Sequence, residues 1–405
     1  MSSEKQGSLL GSILLLSGCC IGAGMLGLPV ISANAGFFPS LLMFVCSWLF
    51  MATTGLLLLE VNLWFHEKVS IITMAGKTLG KSGQAASWFL FLFLFYSLMV
   101  AYSAASGALI SEFTASLIHL NLPQWLGSLT FISAFGILIY LGTEAVDRFN
   151  RLLIFGLLMT YLLLVTVGLP RISWKLLMHT HWPAALLAAP AMVVSFGYHN
   201  LIPTLTDYLN RDTHKLRIAV LVGSALPLLV YLLWQMLILG LVPYEVFRGS
   251  IDSGVMATQV LASVVGASWI GLLADYFAFF SIITSFLAVA LSLVDFLADG
   301  LSIRKTALGK VTLCLMTLIP PFVFALLFPN IFLKALNYAG AFGAVILFGI
   351  IPSLMVWSGR YVEKIEGEKL VPGGKAVLLL IITFSLLVFL VELAEEMHWI
   401  KVVVL

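Results

Sequence analysis

Two glycine-containing runs that end in proline carry the residues of this chain best suited to holding a small charged molecule. One reads Gly18-Cys19-Cys20-Ile21-Gly22-Ala23-Gly24-Met25-Leu26-Gly27-Leu28-Pro29, the other Ser195-Phe196-Gly197-Tyr198-His199-Asn200-Leu201-Ile202-Pro203. Gly and Pro inside an apolar stretch break a helix in two and free backbone polar groups. The half-helix before a break ends in unsatisfied carbonyls, which suit an ammonium group. The half-helix after it opens with free N–H groups at the positive end of a dipole, which suit a carboxylate. Gly22, Ala23 and Gly24 also let a ligand approach the main chain closely. Two such breaks together fit the zwitterionic backbone of an α-amino acid. They do so without a charged side chain, which costs about 2.5–3.5 kcal/mol at the centre of a bilayer. The residues so nominated are Cys20, Gly22, Ala23, Gly24, Ser195, Phe196, Gly197, Tyr198 and His199. Gly18, Gly27 and Gly36 read more simply as packing glycines.

The elements that must position these runs are membrane helices. Hydrophobic residues make up 61% of the 405-residue chain and charged residues 10%, against roughly 25% charged in soluble domains. A hydropathy window predicts eleven spans, near 9–35, 38–64, 85–117, 125–142, 150–169, 183–207, 217–241, 266–294, 310–329, 337–357 and 375–396. The third is long enough to tilt or to extend past the hydrocarbon. The segment 65–83 reads as an amphipathic connector. Of the 21 Lys and Arg residues, only Arg171, Lys175, Arg248, Lys334 and Lys401 fall on segments opposite the N-terminus; Lys5, Lys68 and the rest share its side. This asymmetry predicts a cytoplasmic N-terminus and, with an odd span count, a C-terminus outside. The short polar start reads as no removable signal peptide.

Five spans are an odd number, so a second set of five enters the membrane inverted. The expected organisation is one transmembrane domain: residues 7–169 as the first repeat, 182–357 as the second, and 374–396 as an added helix. The breaks fall in the first and sixth spans, where interrupted helices of a secondary transporter meet near the midplane. Span three brings Tyr102, Ser103 and Ser106 towards them. With Phe196 and Tyr198 they form an expected wall for an aromatic side chain, whose burial is worth roughly 4–6 kcal/mol.

Ionisable residues near the breaks are few. His199 is a candidate proton or substrate contact, or else a hydrogen-bonded structural histidine. Glu60 is a candidate for coupling, or else half of a structural ion pair. Asp275 faces an outer vestibule, and Asp295 and Asp299 lie near Arg304 and Lys305 as a gate network. Cys19, Cys20, Cys46 and Cys314 lie in spans without disulfide or metal-like spacing. No nucleophile-and-base set, cofactor motif or nucleic-acid-binding patch accompanies them, so neither an enzyme nor a cofactor is expected. An amino-acid sensor is the other alternative, against which the short loops argue.

Gly22-Ala23-Gly24-Met25-Leu26-Gly27-Leu28-Pro29, Leu59-Glu60-Val61-Asn62-Leu63, Ser195-Phe196-Gly197-Tyr198-His199 and Asp295-Phe296-Leu297-Ala298-Asp299-Gly300 together resemble the aromatic amino acid permeases. These are the bacterial tyrosine and tryptophan permeases of the hydroxy and aromatic amino acid permease family, with the tyrosine branch nearest. The resemblance, over about residues 7–395, implies an all-α five-plus-five inverted-repeat fold (LeuT-type, APC superfamily) with helices 1 and 6 broken. It also implies proton-coupled uptake of tyrosine, tryptophan or phenylalanine through the bacterial inner membrane. Asn200, where much of the family is expected to carry Gly, departs from the pattern. Thr284 and Ser285 resemble the hydroxyl pair of sodium-coupled relatives of this fold, which keeps a sodium-driven or exchange version in view. Gly24→Val is expected to abolish uptake while leaving insertion intact.

Overall fold

A computed structural model describes residues 7–399, apart from 68, 249, 266 and 267. Lys5, Lys68 and Lys401, used in the charge asymmetry, lie outside the described residues, as do the first two residues of the 266–294 span. Among the described residues ten helices are long and apolar enough to span a membrane, eleven if the bent pair near the N-terminus counts as one span.

That pair is α1 (Leu9–Cys20) and α2 (Gly24–Ser32), bent by 55°. Then come α3 (Phe37–Trp64), α4 (Ile71–Ile118), α5 (Gln124–Leu141) and α6 (Thr143–Gly168). The second broken span is α7 (Ala189–Ser195) and α8 (Ile202–Tyr208), followed by α9 (Thr213–Leu241), α10 (Ser268–Gly300) and α11 (Ala307–Leu327). α12 starts as Phe332–Tyr338, winds as a π-helix over Ala339–Ile350, and runs on to Val362; α13 (Gly374–Glu396) is last.

Local chemistry starts and stops these helices. Ser8, Ser70 and Thr306 each accept a backbone N–H three residues on at the head of α1, α4 and α11. Asp212 does the same for Lys215 at the head of α9, and that hydrogen bond holds its carboxyl below the usual range. Inside α4, Gly80 has φ 73°, a left-handed conformation that divides an arm, residues 71–79, from the membrane helix that follows. The connector expected around 65–83 is this arm. The third span accordingly starts earlier than residue 85.

Burial sorts the helices into centre and rim. Buried residues make up 67% of the most apolar window in the second broken span and 78% in α12. The figure is 28% for α5, α11 and α13, whose apolar outer faces are left for lipid. α1 and α2 pack along α9, α10 lies on α4 and α6, and α7 rests on α12. Trp234, Tyr231, Phe277 and Phe286 are fully buried between them.

At one end of the bundle Glu60 is 2% and Arg360 4% exposed. Arg360 donates from Nε and Nη2 to the two Glu60 oxygens, both at 2.6 Å, and from Nη2 to Val371 O; the Leu370 N–H completes the carboxylate at 2.8 Å. The pair bolts α3 to the end of α12 and to the loop before α13. Of the two roles held open for Glu60, this geometry is the structural ion pair. Removing one partner of such a pair costs about 3–5 kcal/mol. Arg360→Met is therefore expected to lower the thermal unfolding midpoint in detergent more than Glu60→Gln/Arg360→Met does. Equal midpoints for wild type and Arg360→Met would show that the pair contributes nothing.

Candidate binding site at the two helix breaks

In the first break the Ile21 N–H closes the last turn of α1 on Ser17 O at 3.0 Å, and the backbone then turns extended. The Ala23 N–H donates to Ser285 Oγ on α10 at 2.8 Å, and α2 begins with Met25 N–H on Gly22 O. In the second break Phe196 and Gly197 donate to Val193 O and Val194 O, and a single 3₁₀ turn, His199–Leu201, leads into α8.

The glycines of the first break fit side chains of neighbouring helices. A Cβ at Gly22 would lie 2.1 Å from Ser285 Oγ, and one at Gly24 would lie 2.9 Å from Ser195 Oγ. Gly18, expected to be a packing glycine, instead has open space around that position, so no neighbouring helix requires the absence of a side chain there.

Tyr231, on α9, joins the breaks. Its hydroxyl lies 2.6 Å from Cys20 O and 2.7 Å from Ser195 O, the terminal carbonyls of α1 and α7. Each is the negative end of a half-helix. One phenol hydrogen shared between them offsets part of their mutual repulsion. Three residues on, Trp234 Nε1 donates to Met25 O at 3.0 Å.

Both breaks open on one cavity of about 300 Å³, at the lower end of small-ligand pockets. Cys20, Gly22, Gly24, Ser195, Gly197, Tyr102 and Ser285 of the nominated residues line it. The remaining wall includes Leu94, Phe95 and Leu98 of α4 and Phe348 of α12. It runs along α1 past Cys19 to Leu14, Asn150 and Ser292, the end of the bundle that carries Arg148, Arg151 and Lys305. The other end is shut by buried Met25, Leu26 and Leu28, with Gln235 Nε2 on Ser32 Oγ and Tyr244 on Asn34 Oδ1 beyond.

Other nominated side chains stand off the lining. Phe196 packs edge-on against Tyr231 at 5.2 Å. The Tyr198 hydroxyl donates to Met51 O, its ring lodged where Gly55 leaves room on α3. His199 is fully buried, its Nε2 2.9 Å from Thr54 Oγ1 and its ring stacked 4.5 Å from Phe348. Of the wall expected from Tyr102, Ser103, Ser106, Phe196 and Tyr198, only Tyr102 lines the cavity, where Phe95 and Phe348 join it; α9 and α3 draw the Phe196 and Tyr198 rings away. Ser103 and Ser106 are off the lining: the Ser106 hydroxyl donates to Ser103 O within α4, and Ser128 of α5 donates to the same carbonyl. Thr284 donates back to Phe280 O and Ser281 O of its own helix. Asp295 pairs with Lys305 at 2.7 Å. Tyr231, Phe348 and Asn150 were not anticipated; only the polarity of Tyr231 and Asn150 in largely apolar spans marks them locally.

The crystal structure of MhsT in complex with L-phenylalanine matches this fold with a TM-score of 0.67 at 14% identity, over 96% of this chain and 98% of that one. The molecule is an all-helical, multi-pass membrane protein of the LeuT-type transporter fold. The chain belongs to the tryptophan/tyrosine permease family, whose model matches residues 5–392. It is 31% identical to the tryptophan-specific transport protein of Haemophilus influenzae, over 98% of this chain and 99% of that one. It is 33% identical to tyrosine-specific transport system 1 of the same organism, with the same coverage.

Proposed function

We propose that the chain imports aromatic amino acids, tyrosine or tryptophan, by proton symport across the bacterial inner membrane, with alternating access to the cavity between the breaks. The observation that carries this reading is the convergence of both broken helices on a single cavity whose remaining wall is mostly apolar. The substrate ammonium sits at Cys20 O and Ser195 O. A carbonyl has two lone pairs, so each can hold the ammonium as well as Tyr231. The carboxylate faces the N–H groups around Gly22 and Gly24, and the ring lies against Phe95, Tyr102 and Phe348. The N-terminus is cytoplasmic, so the cavity as it stands opens inward, the release state of the cycle.

One charge moving through 100 mV supplies about 2.3 kcal/mol, enough for roughly fiftyfold accumulation. The coupling group in this reading is His199. It lies inside the second break, has no partner for Nδ1 among the described residues, and stacks on Phe348, which lines the cavity. Sodium is the second reading, favoured by Ser285 standing directly against the first break. Labelled tyrosine and tryptophan uptake into proteoliposomes, under an imposed proton or sodium gradient, tests both. Accumulation with protons alone is expected, and His199→Gln should alter its pH profile. Accumulation driven by sodium alone would overturn proton symport. An unaltered profile in His199→Gln would remove His199 as the coupling group.

A further inference from the structure

Asn200 is a polar side chain of the second break to which nothing above gives a role. It sits in the 3₁₀ turn His199–Leu201, is partly exposed, and lines the cavity together with Leu201. The residues flanking this pair, His199 and Ile202, are 0% and 1% exposed, so the space open to Asn200 is the cavity. Its amide makes no hydrogen bond among the described residues, and neither amide atom is sealed from solvent. Other polar groups of the wall are engaged or turned away. Ser195 and Ser292 donate to Ala191 O and Ala288 O of their own helices, Ser285 receives the Ala23 N–H, and Asn150 Oδ1 is sealed. Asn200 therefore offers the cavity an open acceptor, Oδ1, and an open donor, Nδ2. Its place in the turn decides what it meets. The poles of a bound zwitterion fall on main-chain groups, Cys20 O and Ser195 O for one and the N–H groups around Gly22 and Gly24 for the other. The ring lies against Phe348, which stacks at 4.5 Å on His199, the neighbour of Asn200 in the turn. That puts the amide on the ring's side of the site.

We propose that Asn200 is a specificity-determining residue whose amide hydrogen-bonds the polar edge of the substrate ring. Oδ1 accepts from the phenol O–H of tyrosine or the indole N–H of tryptophan, whereas phenylalanine has no such donor. A site that hydrogen-bonds a substrate group disfavours the analogue lacking it. The proposal rests on the reading of the cavity as an aromatic amino acid site.

Competition against uptake of the labelled substrate in proteoliposomes tests it. Each transported substrate is set against an analogue without the ring donor: phenylalanine for tyrosine, 3-benzothienylalanine for tryptophan. In the wild type the analogue should need an about 10-fold higher concentration than the substrate, the ratio that one net hydrogen bond gives. In Asn200→Leu and in Asn200→Ala, substrate and analogue should compete equally, because the substrate loses its advantage. Asn200 has no protein partner to lose and its φ is not left-handed, so both variants should insert and fold. An analogue equal to the substrate in the wild type, or a gap that survives in either variant, would overturn the proposal. Absence of any aromatic amino acid uptake by the wild type would instead defeat the transport reading itself.

Discussion

Uptake by Gly22→Val is expected to fall by on the order of 100-fold, with the protein inserted and folded. The new Cβ would lie 2.1 Å from Ser285 Oγ, so Ser285 must rotate away. Rotation releases the buried Ala23 N–H that now donates to it. The valine methyls then press on α10 and on the cavity. Overpacking of this kind costs about 1–3 kcal/mol and an unmet buried donor about as much again; each 1.4 kcal/mol is tenfold. If the steric account is correct, Ser285→Gly should restore part of the uptake in the double variant, since residues in contact couple non-additively. Gly18→Ala, with open space around its Cβ, should transport nearly as well as the wild type. Uptake measured per inserted molecule checks all three. Full activity in Gly22→Val would remove the close main-chain approach on which the site depends.

Tyr231→Phe should cost 10- to 50-fold in uptake and lower the unfolding midpoint. The substitution keeps the ring, its edge-on packing with Phe196 and its contact with Phe44, and removes one oxygen and one hydrogen. Two buried half-helix carbonyls then face each other without the shared donor, at about 1–3 kcal/mol for an unsatisfied buried group. Tyr231 lies 2.6 and 2.7 Å from these carbonyls, and in the proposed binding mode the same pair meets the substrate ammonium. A variant that loses stability but keeps full uptake per inserted molecule would assign the phenol to scaffolding. A variant that keeps both would show that the bridge contributes nothing.

The breaks were legible from sequence because their cause is local. Gly22 and Gly24 close together in one apolar run, and Gly197 followed by Pro203 at the head of α8 in another, mark the interruptions, whereas Pro29 is accommodated inside α2. Span positions followed for the same reason, since 18 or more apolar residues in a row declare themselves. Which side chains of each break turn towards the cavity depends on partners far away in the chain. Tyr198 and His199 face α3 because Met51 O, Gly55 and Thr54 receive them there. Phe348 comes between His199 and the cavity on a π-wound stretch of α12, and π winding leaves little mark in composition. Tyr231 is one of eleven tyrosines, and nothing within its own helix says that it meets two carbonyls. Glu60 was legible as half of an ion pair, but not its partner Arg360, which lies 300 residues away.

The most direct test of the central claim uses Cys19, an exposed thiol on the cavity wall 3.6 Å from Gly197 O of the second break. Its alkylation by N-ethylmaleimide would be followed by mass spectrometry in proteoliposomes, with and without amino acids. Tyrosine or tryptophan at ten times its half-saturating concentration should slow the reaction about 10-fold, and glycine at the same concentration should not. An alkylation rate unchanged by any aromatic amino acid that the protein transports would place the substrate elsewhere and contradict the account.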